Sequence, residues 1–139
     1  MVIQPVVVTI IQKGDTFLLT RRHEENESSK YHNLWQFPGG GMEFGETTEQ
    51  TGIREAREEL GINIIIEKLI TPLRIEVRKT WQGLFICYLC TMEDEYAPIV
   101  LNEEANQYGW FTEEEIKKLP SMPLTYETVR SALHSNMSD

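Results

Sequence analysis

The chain contains only two cysteines, Cys87 and Cys90. That is too few for a disulfide framework, and reduced thiols fit a cytoplasmic protein. Its apolar runs stop after a handful of residues, far short of the ~20 a transmembrane helix needs, so no membrane partner is expected. The first residues, MVIQPVVVTI, lack both a basic segment and a small-residue cleavage site, so they do not read as a secretory signal. Positive charge is also scarce: 13 Lys and Arg stand against 22 Asp and Glu, a net charge of −9. That balance argues against binding nucleic acid by broad phosphate neutralisation. It still permits a phosphate-bearing small molecule, because metal ions can bridge an acidic protein and an acidic ligand.

With 139 residues, 40% hydrophobic and 25% charged, the composition is that of one globular domain spanning 1–139, large enough to fold without a staple. Val6 to Ile11 is β-branched and reads as a buried strand. Lys13-Gly14-Asp15 is a turn, and Phe17 to Leu19 returns as a second strand ending at Arg21 and Arg22. His23 to Asn33 is a polar surface loop, and Trp35 to Pro38 is extended and runs into three glycines. Thr47 and Gln50 form a capping box that opens a helix. Ile53, Ala56 and Leu60 give that helix its apolar face, and Gly61 caps it. Further strands are expected over 62–70, 73–77, 84–89 and 107–111, with Pro72 marking a bulge or a sheet edge. Thr112 and Glu115 open a short helix that stops before Pro120, and 125–134 suggests a last one. Elements mixed in this way predict a mixed α/β sheet covered by helices. Cys87 and Cys90 fall on opposite faces of one strand, which suits core thiols better than a zinc site. His23, His32 and His134 have no ligand-like spacing and read as surface residues.

The informative stretch is Gly40 to Ile62, GGMEFGETTEQTGIREAREELGI. Glu55, Glu58 and Glu59 lie at i, i+3 and i+4 and so share one helical face. Like charges at that spacing repel by a few tenths of a kcal/mol per pair, a cost that a bound cation would offset. Oxygen-only ligands select hard ions such as Mg²⁺ or Mn²⁺. Gly40, five residues, Glu46, seven residues, then Arg54-Glu55-Ala56-Arg57-Glu58-Glu59-Leu60-Gly61-Ile62 resembles the Nudix hydrolase signature at every fixed position. The flanking segments are similar to the MutT-like members.

The resemblance implies an α/β/α sandwich and water attack on a nucleoside diphosphate linked to some group X. It implies metal ligation by Glu55, Glu58 and Glu59 with help from the Gly40 carbonyl. Arg54 would hold a motif glutamate in place, and Glu46 would be structural or support the ligands. The general base would be Glu58, Glu59, or Glu104, which lies six residues before Trp110; Glu103 is its neighbour. Arg21 or Arg22 would meet a substrate phosphate, although strand alternation turns only one of them inward. Trp35 or Phe37 would stack on a base, with core packing the alternative. Tyr126 or Thr125 stands where base-reading relatives carry an asparagine. The resemblance therefore points to a small nucleotide partner, foremost a (deoxy)nucleoside triphosphate cut to monophosphate and pyrophosphate. Dinucleoside polyphosphates, nucleotide sugars and a non-catalytic nucleotide sensor are the alternatives. Homodimers are common in the family, but no exposed apolar stripe is visible in the sequence.

Overall fold

The first strand, β1 (Val2–Lys13), organises the sheet in the computed structural model, which describes residues 1–134. Its residues from Val2 to Ile11 run parallel to β6 (Trp81–Met92). On its other side Val6–Val8 pair antiparallel with β4 (Gly39–Gly41), and Gln12 and Lys13 turn through a hairpin onto β2 (Thr16–Arg22). β5 (Ile64–Arg78) lies antiparallel on β6 and ends the sheet. β2 also carries β3 (Trp35–Gln36) and β7 (Ala105–Phe111). Parallel and antiparallel ladders thus share one mixed sheet, in the order β3-β2-β1-β6-β5 with β4 on β1 and β7 on β2.

Alternation along the strands sends side chains to both faces, and helices cover both. Val7, Ile11, Leu18, Tyr88 and Cys90 pack with Ala56 and Leu60 of α1 (Thr48–Leu60). Ile10, Phe17, Leu19 and Cys87 pack with Ile116 of α2 (Glu113–Lys118) and Val129 of α3 (Thr125–His134). This is the expected sandwich. The two cysteines lie in opposite cores, where burial pushes the Cys87 thiol up to about 11 and the Cys90 thiol up to about 12.

Both capping boxes form as the sequence suggests, and Gly61 ends α1 at φ 66°, the left-handed region where glycine is favoured. The two segments expected either side of Pro72 are instead one strand, β5. Its ladder with β6 shifts register between Ile66 and Lys68 and again between Ile70 and Arg74. A proline that cannot donate to a ladder is tolerated because β5 is an edge strand. Gly52, outside the expected apolar face, is buried: a Cβ there would lie 3.3 Å from Thr9 Cγ2, so its absence lets α1 approach β1 closely.

Candidate active site

The segment 35–41 creates the site by changing partners. Trp35 and Gln36 pair with β2, Pro38 accepts from the Thr9 N–H at 2.8 Å, and Gly39–Gly41 pair with β1. A Cβ at Gly39 would collide with the Val7 carbonyl oxygen and lie 2.9 Å from Val8 Cα, so only glycine runs this close to β1. α1 crosses beneath the glycines. The Gly39 N–H donates to Glu59 Oε2 at 3.0 Å, and the Glu55 carboxylate sits over Gly40.

Three carboxylates converge there. Oxygens of Glu55, Glu59 and Glu104 all lie within 4.8 Å of one another. Glu55 and Glu59 are one helical turn apart, and their helix is anchored by the fully buried Ala56 and Leu60. Glu104 arrives from the segment before β7, with its backbone N–H on Asn102 Oδ1 and its carbonyl accepting from the His23 N–H. The energetics of the cluster are unfavourable as it stands. Burial, then the hydrogen bond and charge of Glu104, then the charge of Glu55 push the Glu59 carboxyl up to about 10. Burial also raises Glu55, opposed by Arg54. Oxygen donors so close together and so costly to ionise suit a hard divalent cation, whose charge reverses the penalty.

Arg54 is the organiser of the site. Its Nε and Nη2 grip Glu46 at 2.7 and 3.1 Å, its Nη1 donates to Glu55 Oε1 at 3.0 Å, and its Nη2 reaches the Gly41 carbonyl at 3.1 Å. One planar guanidinium therefore ties the loop, the glycine strand and the ligand helix together. Glu46 also accepts from Thr51 Oγ1 and the Glu43 N–H. Foremost through Arg54, its carboxyl is held down at about 2.

Glu58 is not gathered with the other two helix carboxylates. Its Oε2 accepts from Arg54 Nη1 at 3.2 Å, and its side chain is 55% exposed against 12% for Glu55. The shared helical face is real, but Arg54, four residues earlier, takes Glu58 to its own side.

Beside the carboxylates opens a cleft of about 540 Å³. Glu59 and Glu104 line one part of it; Arg22, Phe37, Trp81, Phe85 and Thr125 line others. Of the two strand-end arginines only Arg22 lines the cleft, with its Nε on Glu24 Oε1 at 3.0 Å; Arg21 points elsewhere, its Nε on Asn106 Oδ1 at 2.7 Å. Trp35 is a core residue, edge-to-face with Phe111 at 4.9 Å; Phe37 is buried in the same core and also contributes to the cleft lining. Tyr126 packs against the second core outside the cleft lining, and Thr125 takes the place beside it. The sequence reading missed Gln4, Arg74, Arg78, Trp81 and Phe85, which form a wall from the first half of β1 and the far ends of β5 and β6. Their signal was strand alternation, usable only once the β1–β6–β5 register is known.

Gly40→Ala tests the packing of the ligands. Its Cβ would lie 2.5 Å from Glu55 Cδ and Oε1, so Glu55 must move. Turnover is expected to fall about 100-fold, the scale of an ångström's misplacement, with a melting temperature close to that of the unaltered protein. Full activity in a well-folded variant would show that the Glu55 position is unimportant.

Comparison with known proteins identifies the family. The NUDIX domain profile matches residues 2–132. The nucleoside triphosphatase NudI of Salmonella schwarzengrund is 31% identical over 122 residues, covering 80% of this chain and 83% of that one. The RNA pyrophosphohydrolase of Acinetobacter baylyi is 64% identical over only 31 residues, 22% of this chain and 19% of that one. The solution structure of the E. coli ORF135 protein superposes with a TM-score of 0.80 at 23% identity, covering 100% of this chain and 96% of that one. The chain belongs to the Nudix family and is a hydrolase acting on pyrophosphate bonds.

Proposed function

We propose that the protein is a Mg²⁺-dependent pyrophosphohydrolase that cuts (deoxy)nucleoside triphosphates to monophosphate and pyrophosphate. The observation that carries this reading is the carboxylate cluster Glu55, Glu59 and Glu104 opening on a cleft with an arginine and aromatic walls. The relative named nucleoside triphosphatase supports the substrate class. Oxygen-only donors favour Mg²⁺, with Mn²⁺ able to replace it.

Glu55 and Glu59 hold the metal, and the Gly39 N–H fixes the rotamer of Glu59. When bound, the cation neutralises charge on the phosphate oxygens and makes its water more acidic. Glu104, the exposed member of the cluster, takes the proton from the attacking water. Arg22 meets a phosphate oxygen by a charge-assisted hydrogen bond. Phe37, Trp81 and Phe85 offer the base an apolar wall to stack on. Glu58 acts by sharing Arg54, which positions it as a support for the ligands rather than as the base.

The test is a product analysis. The protein is incubated with Mg²⁺ and canonical and oxidised nucleoside triphosphates, nucleotide sugars and dinucleoside polyphosphates. Triphosphates should yield monophosphate and pyrophosphate. Turnover confined to sugar-linked or dinucleoside compounds would move the substrate. Tight nucleotide binding with no product would overturn the enzymatic reading in favour of a sensor.

A further inference from the structure

The two halves of the edge strand β5 are built differently. Before Arg74 the strand carries two register shifts, the second spanning Pro72 and Leu73, features that spoil an edge for pairing. From Arg74 to Arg78 it pairs with β6 without interruption, Arg74 beside Phe85 through Arg78 beside Trp81. There the alternation is clean. Leu73, Ile75 and Val77 are 47, 55 and 61% exposed, while Arg74, Glu76 and Arg78 turn to the other face and line the cleft. The exposed apolar face continues inward: Ile75 lies beside Leu84 and Leu84 beside Pro5, and Val77 lies beside Gln82 and Gln82 beside Ile3. α1 covers this face at Val7 and Ile11 but leaves Ile3 68% exposed. A regular edge next to an apolar face, flanked at its far end by the Tyr31 ring 4.8 Å from the Arg78 guanidinium, is a template for another strand.

The segment Leu73-Arg74-Ile75-Glu76-Val77 is complementary to itself when reversed. Laid antiparallel on a second copy with Ile75 opposite Ile75 of the partner subunit, Leu73 meets Val77 of the partner subunit. In the same register Arg74, which donates to Ser131 Oγ in its own chain, meets Glu76 of the partner subunit, twice by symmetry, and Glu76 is shared between that arginine and Arg78 of its own chain. Cross-strand apolar and opposite-charge pairs are the units that stabilise such a ladder. Neighbouring registers fail. A slip of one residue sets charged residues on the apolar face, and a slip of two sets Arg74 against an arginine, either itself or Arg78 of the partner subunit.

We propose that the protein forms a homodimer by antiparallel pairing of β5 with β5 of a second copy, about a two-fold axis through Ile75. The surface is isologous, as a two-fold dimer requires. It merges the apolar faces into one and brings Arg74 and Glu76 of the partner subunit to the rim of the cleft.

Cross-linking and mass measurement on the full chain test this. A residue opposite itself in an antiparallel ladder has Cα atoms about 4.5–5.5 Å apart, within the range of a disulfide. Ile75→Cys should therefore oxidise to a covalent dimer. Val77→Cys should not, because its two copies would lie about 14 Å apart, four residues along the ladder. Cys87 and Cys90 are buried in the cores and should not interfere. In solution the chain should weigh twice 16.2 kDa. Arg74→Glu, which sets a carboxylate against Glu76 of the partner subunit in both symmetric pairs, should release the 16.2 kDa monomer, and adding Glu76→Arg should restore the dimer. A monomer throughout the dilution series, a dimer unaffected by Arg74→Glu, or an Ile75→Cys dimer that does not cross-link would each overturn the proposal.

Discussion

Glu59→Gln is expected to lower turnover by about 10³-fold, the scale of a lost metal or acid–base group, while making the metal-free protein more stable at alkaline pH. The two effects have one cause. Burial and the neighbouring Glu104 and Glu55 raise the Glu59 carboxyl from its ordinary 4.5 to about 10. A group raised in the folded state contributes fully below its unfolded value and loses that contribution as pH climbs towards the folded one. Glutamine keeps the hydrogen-bonding shape without the titration. The variant should therefore melt above the unaltered protein at pH 8, with the difference closing as pH falls towards 4.5. Mg²⁺ should reverse the order by stabilising the unaltered protein alone. Its effect should grow with pH, because the ligand must lose its proton to bind. Thermal melts with and without Mg²⁺ across pH read all of this. An inactive variant that is less stable at every pH would mark Glu59 as a structural residue instead.

Arg54→Lys is the second large effect. Lysine preserves the charge but not the fork that holds Glu46 through two nitrogens while reaching Glu55 and the Gly41 carbonyl. Metal affinity should fall 10–100-fold, the usual cost of losing a residue that orients a ligand, with kcat falling alongside it. Acid stability should also suffer. Glu46 is held at about 2 against an ordinary 4.5, so its contribution is present above 4.5 and disappears as pH falls through 2. With the fork gone, the Glu46 value moves up, and acid unfolding should begin at higher pH. Unchanged metal affinity with unchanged acid unfolding would remove Arg54 from its organising role.

Much of this site could be read along the chain because its parts are local. Glu46, Arg54, Glu55 and Glu59 lie within one loop and one helix, and the capping box and Gly61 delimit that helix as expected. The sandwich was legible from β-branched runs and turn residues. What was not legible depends on pairing at long range. Arg21 and Arg22 could not be told apart until Asn106 took one and the cleft the other. Trp35 and Phe37 both pack into the core, and only the long-range pairing shows that Phe37 also borders the cleft. The exposed apolar stripe absent from the sequence reading exists on β5, hidden because Leu73, Ile75 and Val77 alternate with charges as in any half-buried strand. The position of Glu58 turned on a competition, in which an arginine four residues away outweighed the helical face it shares with Glu55 and Glu59.

The proposed function requires Glu55 and Glu59 to hold a divalent cation beside Glu104, where a phosphoanhydride is cut. The most direct measurement is a Mn²⁺ titration followed by electron paramagnetic resonance, with nucleotide turnover recorded on the same samples. It would be run on the unaltered protein, Glu59→Gln, Glu104→Gln and the surface control Glu95→Gln. The first and the control should bind Mn²⁺ and turn over. Glu59→Gln should lose both, and Glu104→Gln should lose turnover at every Mn²⁺ concentration. Tight Mn²⁺ binding and normal turnover in Glu59→Gln would contradict the proposed cation centre.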